Sequence, residues 1–122
     1  MAKILLAEDE SIIQLVLSEM LAENGHEVVS AHNGERALAL MEPGIELIVS
    51  DLMMPRMGGA EWVAEVRRRS EMGDVPVIFM SALPLSPEAR TLSSHFLRKP
   101  FHPDLLMQAV QHVLSGRNCA TN

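Results

Sequence analysis

Short apolar runs rich in β-branched residues alternate along this chain with longer segments of helical period, and that alternation restricts the fold to β-α units around a parallel sheet. Five of each are legible. The predicted strands are Lys3 to Ala7, Glu27 to Ala31, Glu46 to Ser50, Pro76 to Met80 and His95 to Arg98. The third and fourth are apolar on both faces, as central strands covered by helices on both sides must be.

The helices follow from periodicity and from their start and stop residues. Ile12, Ile13, Val16, Leu17, Met20 and Leu21 repeat at helical spacing, predicting a first helix from Glu10 to Asn24 with Gly25 as a left-handed stop. Asn33 can cap a second helix running through Met41, ended by Pro43-Gly44. Gly58-Gly59 opens a third, with Trp62 and Val66 on its buried stripe, so Trp62 is read as core. Pro84 and Pro87 delay the fourth, leaving a short helix from Glu88 to Ser94. Pro103 suits the first turn of a fifth helix, which buries Leu106, Val110 and Val113. Leu15 widens the apolar stripe of the first helix beyond one face, which suggests a partner surface.

Reactive polar residues stand at the ends of four of these strands. They are the acidic pair Glu8-Asp9, the carboxylate Asp51, the hydroxyl Ser81 and the dipeptide Lys99-Pro100. All carboxyl ends of a parallel sheet lie along one edge, so four sequence-distant elements converge there.

With 122 residues the chain fits one domain, read as residues 1–116 followed by a flexible tail over 117–122. A formal charge of −6 argues against a nucleic-acid or anionic membrane surface, both of which need clustered Lys and Arg. The single basic run, Arg67-Arg68-Arg69, suits a helix C-terminus, where the backbone dipole favours cations. One cysteine, Cys119, gives neither a disulfide framework nor a cysteine metal site, and no apolar stretch is long enough to span a membrane. A cytoplasmic location is expected. The five histidines show no ligand spacing and are read as surface or capping residues; the nine methionines are read as flexible packing.

If the first strand lies beside the third, Glu8 and Asp9 bring their carboxylates close to Asp51. Such a cluster repels itself unless a cation sits in it. Carboxylates with a backbone carbonyl and waters are a ligand set suited to Mg²⁺. A carboxylate beside that ion can attack phosphorus to give an acyl phosphate, with the Lys99 ammonium, the Ser81 hydroxyl and backbone amides sharing the charge on the phosphoryl oxygens. Pro100 after Lys99 permits a cis peptide, since X-Pro bonds tolerate that isomer.

The blocks "LLAEDE", "ELIVSDLMMPRMGG", "VIFMSA" and "FLRKPF", in that order, resemble the receiver domain of two-component response regulators, and the resemblance runs from Lys3 to Leu114. It implies a flavodoxin-like, doubly wound α/β fold with a five-stranded parallel sheet in order 2-1-3-4-5. It implies that Asp51 accepts a phosphoryl group from a histidine kinase or histidine phosphotransfer protein. Glu8, Asp9, Asp51 and the Met53 backbone carbonyl would hold Mg²⁺ or Mn²⁺, and Ser81 and Lys99 would bind phosphoryl oxygens. Phe96, three positions before the lysine, would be the aromatic that turns inward when Ser81 moves, so that charge at one site becomes shape at another.

Two features depart from the family pattern. The stretch from Ser81 to Lys99 is short, and the loss falls on the fourth helix. The positions two after the acceptor and two after the hydroxyl hold Met53 and Leu83, neither suited to orienting an attacking water, so slow self-dephosphorylation is expected rather than enzymatic turnover. The leading reading is a stand-alone receiver that regulates an unidentified downstream protein, with the oligomeric state left open. Its alternatives are the N-terminal receiver of a larger DNA-binding regulator, a Mg²⁺-dependent phosphohydrolase, which would need a second acid where Met53 stands, and a receiver that binds its partner without phosphorylation.

Overall fold

Alternating side chains give each strand two faces, and in this chain both faces of the central strands are buried. The computed structural model describes residues 1–69 and 71–119. Its elements are β1 (Lys3–Ala7), α1 (Ser11–Glu23), β2 (Glu27–Ala31), α2 (Gly34–Leu40), β3 (Leu47–Asp51), α3 (Gly59–Arg67), β4 (Val77–Ser81), α4 (Pro87–Leu92), β5 (His95–Arg98) and α5 (Pro103–Cys119). All pairings are parallel, in the order β2-β1-β3-β4-β5. Ile4, Leu6, Val49, Ile78 and Met80 pack with α1 and α5, while Leu5, Ile48, Val77 and Phe79 pack with α2, α3 and α4. This is the doubly wound sheet expected from the sequence.

Two strands sit one residue later than their apolar runs suggested. β3 ends on Asp51 and β4 on Ser81, in register with Met80 and Arg98 respectively. The last residue of a strand lying between two neighbours is held by its backbone ladder whatever its side chain, so polarity alone placed the boundary too early.

The buried stripe of α1 differs from the expected one. Leu17 and Leu21 face the core, but Ile12, Ile13 and Val16 are exposed together with Leu15, and the polar Gln14 is buried in their place. Apolar periodicity reports every apolar face of a helix, whether core or surface. Asn33 caps α2 as expected, accepting from the Arg36 N–H, and Gly25 takes the left-handed conformation at φ 91°. α2 ends at Leu40, and Met41 is already extended ahead of Pro43-Gly44.

α4 has only six residues; it begins at Pro87 because Ser86 accepts the Ala89 N–H, and the chain turns extended at Ser93. Arg67 braces this short segment. Its guanidinium donates to the carbonyls of Gly73, Val75 and Leu92, so the first arginine of the basic run ties the ends of α3 and α4 together. α5 continues through Gly116 to Cys119, past the point where a tail was expected to begin, and residues 120–122 lie outside those described. No helix among the described residues is long and apolar enough to cross a membrane.

Candidate functional site

Parallel register brings the carboxyl ends of β1, β3, β4 and β5 to one edge, where the sequence put its reactive side chains. β1 ends at Ala7, and the Glu8 N–H extends its ladder by one bond to the Ala31 carbonyl. The side chain of Glu8 is fully buried, accepting from the Glu10 N–H at 3.0 Å through Oε2 and from Lys99 Nζ at 2.8 Å through Oε1. Asp51 is 6% exposed; its Oδ2 accepts from the same Nζ at 2.8 Å and its Oδ1 from the Met53 N–H at 3.3 Å. Lys99 thus bridges two acids whose parent residues lie far apart in the chain.

Asp9 is exposed and completes a cluster in which one carboxylate oxygen each from Glu8, Asp9 and Asp51 lies within 4.8 Å of the others. Three carboxylates face one ammonium. This set of hard oxygen donors, under-neutralised by Lys99, fits a small divalent cation that keeps part of its water shell. Burial pushes the Glu8 carboxyl above its ordinary range, opposed by its hydrogen bonds from Lys99 and Glu10 and reinforced by the charge of Asp51. Burial alone would lower Lys99, but its contacts with Asp51 and Glu8 outweigh that and raise it.

Ser81 is 2% exposed, and its Oγ accepts the Leu83 N–H at 3.0 Å. Its carbonyl accepts the Lys99 N–H at 2.8 Å, which fixes the start of the lysine against the end of β4. The Lys99-Pro100 peptide is cis. Met53 and Leu83 flank the site and expose their side chains. Phe96 lies in β5 opposite Phe79, two residues below Ser81 along β4, half-buried against the core on the α4 side.

Three residues that sequence reasoning did not assign to the site hold it in place. Gly59, the first residue of α3, approaches the acceptor so closely that a Cβ would lie 2.3 Å from the Asp51 carbonyl oxygen. Trp62, fully buried as predicted, donates from Nε1 to Ser50 Oγ, which donates in turn to the Asp51 carbonyl. Gln14 donates to the carbonyls of Glu8 and Ala31. A glycine pair followed by an aromatic gave a hint of the first two; the third carried no signal, because one polar residue inside an apolar run reads as surface.

The histidines are less scattered than their spacing suggested. His95 and His112 come into ring contact at 6.1 Å, and His102 caps α5 by accepting the Asp104 N–H. Beside Lys99, Ile12, Ile13 and Val16 join Ala82, Phe101 and Pro103 around an apolar groove of about 490 Å³.

Comparison with known proteins agrees with this fold. The family described as "Response regulator receiver domain" matches residues 4–111. The transcriptional regulatory protein CpxR of Klebsiella pneumoniae is 34% identical over 119 residues, covering 93% of this chain and 50% of CpxR. The chain thus spans about half the length of curated relatives such as this one. Among solved structures, the chemotaxis protein CheY4 of Vibrio cholerae superposes with a TM-score of 0.84 at 34% identity, covering 93% of this chain and 98% of CheY4. TrrA of Thermotoga maritima, solved in complex with Mg(2+)-BeF, superposes with a TM-score of 0.81 at 31% identity, covering 92% and 98%.

Proposed function

The chain belongs to the response regulator receiver domain family, and from that membership we propose a phosphoacceptor function centred on Asp51. The donor is a histidine kinase or a histidine phosphotransfer protein. The observation that carries this reading is the single ammonium of Lys99 held 2.8 Å from both Glu8 and Asp51, with Asp9 completing the acidic cluster. A carboxylate beside a cation is a nucleophile for phosphorus.

An Asp51 carboxylate oxygen attacks the phosphorus of a phosphohistidine; the new O–P bond forms as the P–N bond breaks, and the imidazole leaves with the electron pair and takes up a proton. Mg²⁺ or Mn²⁺, held by Glu8, Asp9, Asp51 and the Met53 carbonyl, supplies charge neutralisation at the phosphoryl oxygens when bound. Lys99 neutralises another oxygen, and the Ser81 hydroxyl turns from the Leu83 amide to donate to a third. That movement empties space above Phe79, into which the half-exposed Phe96 ring turns, so the acyl phosphate favours one of two packings of β5. Receiver domains are phosphoacceptors rather than ordinary enzymes, and the output here is an altered contact with a downstream protein in the cytoplasm.

The donor must bring its phosphohistidine to Asp51, and the exposed Ile12, Ile13 and Val16 with their apolar groove border Lys99. Burying them gives the encounter an apolar anchor beside the reacting atoms. A second reading, the receiver of a larger DNA-binding regulator, is favoured by the half-length match to CpxR; the length of the native coding sequence distinguishes the two.

The experiment that tests the function is intact mass after incubation with a small acyl phosphate and Mg²⁺. The native chain gains one phosphoryl group and Asp51→Asn gains none. An equal gain in both, or in neither, refutes the reading.

A further inference from the structure

Gln14 is the buried polar residue of α1, surrounded by a helix whose other inward residues are leucines. One amide nitrogen, Nε2, donates to two carbonyls, at 3.0 Å to Glu8 and at 2.9 Å to Ala31. Both donors of the amide are therefore used on one turn. The Ala31 carbonyl also accepts the Glu8 N–H, the last ladder bond between β1 and β2. The Glu8 carbonyl lies past the end of that ladder.

Its position matters because Glu8 and Asp9 are adjacent. Neighbouring residues in an extended strand point to opposite faces, yet here both offer an oxygen to the same cluster, within 4.8 Å of each other and of Asp51. Convergence requires the peptide between them to be rotated out of the strand and kept there. The carbonyl of that peptide is the one Gln14 holds. The side-chain bond from Glu8 to the Glu10 N–H steadies the turn from its far side but leaves the Glu8–Asp9 peptide itself unfixed.

We propose that Gln14 is a positioning residue for the divalent cation, clamping the Glu8–Asp9 peptide so that both carboxylates converge on Asp51. The inference rests on the phosphoacceptor reading and adds to it a residue from α1 that touches neither metal nor phosphoryl group. Partners that orient metal ligands commonly change affinity when removed, even though the ligands stay.

The test is calorimetric titration of Mg²⁺ into the native chain, Gln14→Met and Val113→Ala. Methionine keeps the length and removes both donors; Val113→Ala trims the core beneath α5, away from the turn. Gln14→Met weakens Mg²⁺ binding about tenfold or more, Val113→Ala lowers the melting temperature with affinity unchanged, and saturating Mg²⁺ restores Asp51 phosphorylation in Gln14→Met. Unchanged affinity in Gln14→Met, or an equal loss in Val113→Ala, overturns the proposal. If Gln14→Met does not fold, Gln14→Asn, one methylene too short to reach both carbonyls, must show the same loss, and native affinity in it overturns the proposal. Absence of Mg²⁺ binding by the native chain overturns the phosphoacceptor reading itself, an outcome distinct from native binding that is indifferent to Gln14.

Discussion

Lys99 Nζ lies 2.8 Å from Oδ2 of Asp51, and the register of β4 against β5 holds it there, because the Lys99 N–H is bound to the Ser81 carbonyl. The lysine is the counter-ion of Glu8 and Asp51, and in the proposed function it also binds a phosphoryl oxygen. Lys99→Met strips the buried Glu8 of its partner, and the loss is about 2 kcal/mol in the absence of metal, reduced from a fully buried pair because the lysine is partly exposed. Urea titration with and without Mg²⁺ reads it: Mg²⁺ restores part of the loss, while the phosphorylation rate stays at least tenfold down.

The proposed metal binding should have an acid limit set by Glu8. Its carboxyl is raised, burial being the largest cause, so the folded chain holds the proton more tightly than the unfolded one. Without metal, Glu8 therefore subtracts stability above its folded pKa, and the penalty is relieved as the pH falls through that value toward the ordinary 4.5. Mg²⁺ needs the ionised form. The Mg²⁺-dependent rise in melting temperature shrinks on acidification, beginning above pH 4.5, and Glu8→Gln removes most of that rise at every pH.

His26 gives a pH dependence of opposite sign. Its Nδ1 accepts the Ala2 N–H at 3.1 Å, which requires that nitrogen unprotonated, and burial followed by the nearby N-terminal charge lowers its pKa below 6.5. The unfolded chain takes up this proton first, so the stability His26 contributes is complete above 6.5 and is lost as pH falls through the lowered folded value. Urea midpoints measured between about pH 7.5 and about pH 5 decline, and His26→Asn, which keeps an acceptor that does not titrate, flattens the decline.

Gly59 leaves no room for a side chain against the acceptor strand. Gly59→Ala puts a carbon 2.3 Å from the Asp51 carbonyl oxygen and must separate α3 from β3. The expected cost is about 1–3 kcal/mol, with a rise in Trp62 fluorescence accessibility to quencher, since Trp62 is tied through Ser50 to the same carbonyl.

Met53 and Leu83 stand exposed beside Asp51 and offer an attacking water no strong hydrogen bond. A long-lived acyl phosphate is therefore the expected outcome of the proposed phosphorylation at Asp51. Met53→Asn, which can orient a water, accelerates its loss at least severalfold; phosphate release measured after removing the donor checks both statements.

The fold was legible because β-branched runs and helical periods alternate cleanly, and the site because its reactive residues fall at strand ends. What escaped the sequence has physical causes. Ile12 and Val16 looked like core because exposed and buried apolar faces have the same period on a helix. Gln14 carried no signal in the sequence, because only the tertiary structure reveals the Glu8 and Ala31 carbonyls beneath it. Asp51 and Ser81 were placed just past their strands, since a polar residue hides the continuing backbone ladder. The contact of His95 with His112 joins β5 to α5, a relation no local spacing encodes.

The account depends on which atom carries the phosphoryl group. Treating the native chain with a small acyl phosphate and Mg²⁺, reducing with borohydride and mapping the peptides locates it, because reduction converts an aspartyl phosphate to homoserine. The account predicts homoserine at position 51 alone, and only in the sample that contained Mg²⁺. Reduction at Glu8 or Asp9, or none at Asp51, would contradict it.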